Sequence, residues 1–111
     1  ENGKVYENPI VILVNELTQS QAEFTAMAFS TVKNSLVVGS QTTGADGNAN
    51  KFELPGGFPT MFTGIGIFYP DGTQTQRIGI KLDKEIHQTA EQIRNGEDPL
   101  MEYGLNYILK Y

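Results

Sequence analysis

Cysteine is absent from this chain of 111 residues. That removes disulfides, thiol catalysis and thiolate metal sites. Histidine occurs once, at His87, and a lone His without clustered carboxylates is a poor metal centre. Basic residues are sparse: eight Lys and Arg against thirteen Asp and Glu leave a formal net charge of −5. No Lys/Arg cluster supplies the cationic footprint that nucleic acids or anionic membrane surfaces require. Long apolar runs are missing too. The longest, from Ile10 to Val14, is far too short to span a bilayer. The chain opens on Glu1 without Met, basic n-region or signal-peptide h-region, which predicts a mature fragment or an excised piece.

What is present fits one modest domain with a single core: 39% hydrophobic residues and twelve glycines. "NPIVILV", opened by Pro9, reads as a strand buried on both faces, as in a parallel or mixed sheet. "TQSQAEFTAMAFSTVKNS" follows as a helix over about residues 19–33. Its Ala22, Phe24, Ala26, Met27, Phe29 and Val32 leave little polar face, so it is expected between layers. "SLVVGS" is a second short buried strand. "KFELPGGFPTMFTGIGIFYPDGTQTQRIGIKL" reads as β throughout, with "PDG" as its turn. "DKEIHQTAEQIRN" reads as loop with one helical turn. The tail "GEDPLMEYGLNYILKY" reads as a helix with Asp98 at the N-cap and Pro99 at N1. The order β-α-β, β-rich stretch, helix defines a mixed α/β class, its first two strands parallel through a right-handed crossover.

Several segments invite chemistry. "DGNAN" at residues 46–50 mimics the start of a calcium loop, but Lys51 stands where the turn Gly belongs and Gly57 where the bidentate Glu belongs. "GGFPTMFTGIG" lacks the Lys and the helix of a phosphate loop. No cofactor and no metal is expected. Ser20 is the strongest candidate. Ser20-x-x-Glu23 is a capping box, and Thr18-x-x-Gln21 overlaps it; such boxes are usually structural. The same place is nevertheless a strand-to-helix elbow, where free backbone N–H groups and the helix dipole can stabilise an oxyanion. A nucleophilic Ser needs a base, and His87 reads as an exposed loop residue.

Three stretches then carry a family resemblance. "PIVILVNELTQSQAEFTAMAF" is similar to a strand, "N-E-x-S-x-S-x-x-E" and a small-residue helix. "LVVGSQTTGADG" is similar to a "G-x-x-T-x-G-x-G" loop, and "FYPDGTQTQRIGIKLDKEI" to a "Y-x-P-D-G…G-I-x-P-D-x-x-V" close. "NGEDPLMEYGLNYIL" matches the terminal helix that follows. Over nearly its whole length the chain resembles the C-terminal part of the catalytic domain of tail-specific (C-terminal processing) serine peptidases and their tricorn-core relatives.

The resemblance implies a crotonase/Clp-like mixed sheet with sandwiching helices. Residues 1–111 would form the C-terminal portion of a larger domain, whose upstream half, often with a PDZ module, is not part of this chain. It implies Ser20 as nucleophile, Thr18 as the family's first small hydroxyl and the Gln21 N–H as oxyanion-hole donor. The base, a His, and a second oxyanion donor would come from upstream. The substrate would be a polypeptide, and the setting the periplasm or extracytoplasmic cell envelope, without membrane insertion.

Three positions depart from the pattern. Ala45 stands where one branch has its Lys base, Gln76 where the other has the Glu that orients its His, and Leu82 precedes the retained Asp83 in place of Pro. Gln76 can accept from a ring N–H but carries no charge, so Gln76→Glu would be expected to raise activity. The alternatives are a non-catalytic homologue acting as a peptide-binding or structural module, and a crotonase-like acyl-group enzyme. The chain alone is expected to be inactive on peptides and to self-associate through its apolar helix.

Overall fold

The computed structural model describes residues 3 and 6–111. In chain order its elements are β1 (Ile10–Val14), α1 (Gln21–Ser30), β2 (Ser35–Gly39), β3 (Ala49–Leu54), β4 (Phe58–Thr63), β5 (Lys84–Glu85), α2 (Ala90–Asn95) and α3 (Pro99–Ile108). The mixed α/β class read from the sequence is the class observed.

β1 and β2 pair parallel in register from Ile10↔Ser35 to Val14↔Gly39, with α1 as the crossover. β5 adds a short parallel strand on the far side of β2. Asp83 fixes that edge: its Oδ2 accepts the Val37 N–H at 2.8 Å and its own N–H donates to the Val37 carbonyl at 2.9 Å. α1 turns Ala26 and Met27 inward onto Val14, Val37, Tyr69 and Ile80, which form the apolar core. Its other face leaves Phe24 and Phe29 exposed, as an all-round apolar helix must unless a second layer covers it.

α1 ends earlier than its apolar pattern suggests. The hydroxyls of Ser30 and Thr31 both donate at 2.7 Å, to the carbonyls of Met27 and Ala28. Such local bonds compete with further helix, and Asn34 then takes φ 64° to start β2. α3 begins where the sequence puts it: Asp98 Oδ1 accepts the Met101 N–H at 2.9 Å, with Pro99 in the first turn. Gly104, which weakens the helix by propensity, lets α3 lie close on β1. A Cβ there would stand 3.1 Å from Val11 Cγ1.

The region read as continuous β is mostly not. β3 and β4 form an antiparallel hairpin turning at residues 55–57, around "PGG" rather than "PDG". The "PDG" turn exists, with Gly72 N–H on the Tyr69 carbonyl at 2.9 Å, but it closes only a loop with one bridge, Phe68↔Gln74. Burial explains the difference. β3 is exposed along its whole length, so no buried face imposes a period-2 pattern beyond the hairpin. The stretch 83–95, read as loop with one helical turn, holds β5 and the six-residue α2, capped by Thr89, whose Oγ1 accepts the Gln92 N–H at 3.2 Å.

Gly39 closes β2 with φ 144°, and a Cβ there would overlap the Val14 carbonyl oxygen. Gly39→Ala must therefore push β2 from β1. It is expected to lower the unfolding free energy by at least about 3 kcal/mol, the scale of a strained backbone plus a lost core contact, as read by urea denaturation.

Candidate active site

The turn after β1 is built from its own side chains. Asn15 Oδ1 accepts the Leu17 N–H at 3.0 Å, and the Asn15 N–H donates to Thr18 Oγ1 at 3.0 Å. The Thr18 hydroxyl is thereby committed to the turn, so the overlapping Thr18–Gln21 box does not form. Ser20 follows as N-cap of α1 with φ 54° and ψ −120°. A non-glycine residue at positive φ is strained by about 1–3 kcal/mol. Ser20 and Glu23 face each other as in a capping box, but only the glutamate half closes: the Ser20 N–H donates to Glu23 Oε2 at 3.1 Å, while the Ser20 hydroxyl makes no cap bond. The hydroxyl is left at the surface. Beside it, among the described residues, the Gln21 N–H has no acceptor. It is one of the unpaired donors a helix start provides.

Glu23 is fully buried. Its Oε1 accepts from the Thr42 hydroxyl at 2.6 Å and the Gly44 N–H at 2.7 Å, and its Oε2 from the Ala45 N–H at 2.9 Å as well as from Ser20. The loop after β2 is thus pinned against the elbow. Thr42 Oγ1 also accepts the Ile80 N–H at 2.9 Å. At Gly79, φ 87°, a Cβ would stand 2.6 Å from that oxygen; only glycine admits so close a passage.

Past Ala45, Asp46 and Ile67 face Ser20, Gln21 and Phe24 across a pocket of about 250 Å³. Gln76 stands behind that wall. Its Nε2 donates at 2.9 Å to both the Asp46 and Ile65 carbonyls, and its Oε1 takes the Ile67 N–H at 3.4 Å and the Gln74 amide at 3.3 Å. Two carbonyls on one side and an N–H on the other fix which end of the amide points where.

Ser20 and Gln21 therefore share one pocket, and Gln76 touches its wall from behind. His87 is elsewhere. It pairs with Glu85 at 3.0 Å and shares a different pocket with Glu16 and Ser40. There the Ser40 hydroxyl, 2.7 Å from Glu16 Oε2, holds the Glu16 carboxyl below its usual range. Ala45 contributes its N–H, not a side chain, to the site. Two residues escaped notice as site elements in the sequence. Glu23 had a signal, since it ends the "S-x-x-E" motif. Asp46 had none beyond a failed calcium-loop match. Among the described residues no cluster of His, Asp and Glu is placed to hold a metal.

An exposed hydroxyl on a strained turn between a parallel strand and a helix, with a free N–H beside it, is the arrangement of a nucleophile elbow. The comparisons with known proteins give the family. The chain belongs to peptidase family S41, whose model matches residues 1–86. A Parabacteroides merdae ATCC 43184 protein shares the fold at TM-score 0.87 and 23% identity, over 98% of this chain and 34% of its own. Mature CPAF, solved with lactacystin, matches at TM-score 0.72 and 28% identity, over 88% of this chain and 19% of its own. The photosystem II D1 C-terminal processing protease matches at TM-score 0.58 and 29% identity, over 70% of this chain and 20% of its own. The chain spans about a third or less of the length of these structures. No curated protein matches it by sequence.

Two substitutions test this geometry. Glu23→Ala strands buried N–H groups of the loop after β2 and frees the Ser20 turn. The expected loss is at least about 3 kcal/mol of stability by calorimetry, given about 1–3 kcal/mol for each buried donor left unpaired. Gln76→Glu sets a carboxylate against the carbonyls of Asp46 and Ile65, which the amide nitrogen now serves at 2.9 Å. That reverses the sign expected from charge alone. The exchange should lower the midpoint of thermal unfolding and lower, not raise, any Ser20-dependent activity.

Proposed function

We propose that the chain is the nucleophile-bearing, C-terminal part of a serine endopeptidase domain of the tail-specific/tricorn-like kind, with a crotonase/Clp-like core. The observation that carries the reading is Ser20: a hydroxyl without a cap bond at φ 54°, beside a Gln21 N–H that has no acceptor among the described residues, in a chain of family S41. In this reading Ser20 Oγ attacks the carbonyl carbon of an extended polypeptide. The Gln21 N–H donates to the oxyanion as the carbonyl oxygen gains charge. A His from a part of the protein outside this chain takes the Ser20 proton and returns it to the leaving amine, and water then cleaves the acyl-enzyme. Gln76 acts as a positioning residue: its amide holds the Asp46 loop that forms the wall opposite Ser20. The extracytoplasmic cell envelope is the setting proposed, by resemblance, and self-association through the exposed face of α1 belongs to the same proposal.

One feature favours a second reading, a non-catalytic homologue that binds peptides. Ala45 and Gln76 leave no Lys base and no charged orienting group, and His87 does not share the Ser20 pocket. A fluorophosphonate probe on the full-length protein separates the two. The expected result is covalent labelling of Ser20 located by peptide mass spectrometry, loss of labelling and of peptide hydrolysis in Ser20→Ala, and no hydrolysis by this chain alone. A full-length protein that never labels and never cleaves is the non-catalytic homologue.

A further inference from the structure

Asp46 has no part in the reaction just proposed, yet it lines the Ser20 pocket and is 5% exposed. Its Oδ1 accepts the Gly47 N–H at 2.7 Å. Its Oδ2 is buried and, among the described residues, has no hydrogen-bond partner. Among the described residues no cation serves it: the ion pairs there are Lys81–Asp71 and His87–Glu85. A buried carboxylate oxygen without a donor is unfavourable by several kcal/mol, and such groups in folded proteins normally have a partner. The fold nevertheless holds Asp46 firmly in place. On one side the Ala45 N–H is tied to Glu23 at 2.9 Å, and on the other the Asp46 carbonyl takes the Gln76 amide at 2.9 Å. With the backbone pinned on both sides and Oδ1 bonded to the Gly47 N–H, the carboxylate is held with Oδ2 unpartnered, and a donor from outside the described residues can complete it.

The pocket describes that donor. Phe24 and Ile67 give it apolar flanks, and about 250 Å³ accommodates one long side chain. A methylene stem suits such walls while a charged head meets the carboxylate, and a charge-assisted hydrogen bond is worth more than a neutral one. A net charge of −5 also favours approach of cationic polypeptides. We propose that this pocket is the subsite beside Ser20 that takes a lysine or arginine side chain of the substrate, with Asp46 as its counter-ion. The inference rests on the peptidase reading and adds to it a substrate class: polypeptides with a basic residue flanking the scissile bond.

The test uses the full-length protein, the fluorophosphonate probe, and matched fluorogenic peptides carrying Lys, Arg or norleucine on either side of one scissile bond. Labelling of Ser20 together with kcat/KM at least about tenfold higher for Lys or Arg than for norleucine, the effect of one charge-assisted hydrogen bond, is the expected result. Asp46→Asn keeps an oxygen for the Gly47 N–H and should bring that ratio close to one. Labelling without any basic preference in the wild-type protein overturns the subsite and leaves the peptidase standing; a bridging water would then serve Oδ2. A basic preference that survives Asp46→Asn overturns the assignment to Asp46. Absence of both labelling and cleavage overturns the peptidase reading, and the subsite with it.

Discussion

One buried carboxylate holds three segments of this chain together. Glu23 sits inside the protein with four donors on its two oxygens, from the elbow, the Thr42 hydroxyl and two consecutive backbone amides of the loop after β2. Burying an isolated carboxylate is unfavourable by several kcal/mol, and only well-placed donors offset that. Its position lowers the cost further. Glu23 is the third residue of α1, where the helix dipole favours negative charge. Since Thr42 Oγ1 passes the connection on to the Ile80 N–H, the same network fixes the return of the chain beneath the site.

The elbow inherits its geometry from this anchor. Ser20 at φ 54° would relax in a free turn, but its N–H is claimed by Glu23 and its carbonyl by the Phe24 N–H at 3.0 Å. Bonds on both sides of the residue over-determine its backbone, the condition under which strain persists. The division of labour matters for chemistry. Glu23 takes the Ser20 N–H and the loop amides and leaves the Gln21 N–H free. In the proposed reaction a negative charge so near the oxyanion would ordinarily oppose it, but this one is already surrounded by donors. What points outward from the elbow is the unspent N–H and the unspent hydroxyl.

Much of this was legible from local signals. The apolar runs of β1 and β2, the Ser20–Glu23 box, and Asp98 with Pro99 each state their structure within a few residues, because strand burial and helix capping are short-range effects. The limits were equally physical. The sequence shows that Glu23 can cap Ser20, but not that its second oxygen reaches residues 42 and 44, since that depends on how β2 delivers its loop. Thr18 matched a capping box as well as Ser20 did, and lost to an Asn15 turn that satisfies its hydroxyl sooner. The β reading of residues 51–82 went too far because the hairpin itself is exposed, while Tyr69 and Ile80 enter the core from loops rather than from strands. At Gln76 the structure adds what charge alone does not show: its amide protons serve the Asp46 and Ile65 carbonyls, which a glutamate could not do.

The apolar core is small beside this polar frame. Six buried residues, Val14, Ala26, Met27, Val37, Tyr69 and Ile80, make its centre, while Phe24 and Phe29 on α1 and Phe52, Phe58 and Phe62 on the hairpin stay exposed. A core of that size cannot by itself hold a strained serine to within the fraction of an ångström that chemistry needs. Directional bonds can, because each fixes an angle as well as a distance. The rigidity of the Ser20 site therefore derives from Glu23, Thr42 and Gln76 rather than from apolar packing. It should be retained whatever comes to cover the exposed face of α1.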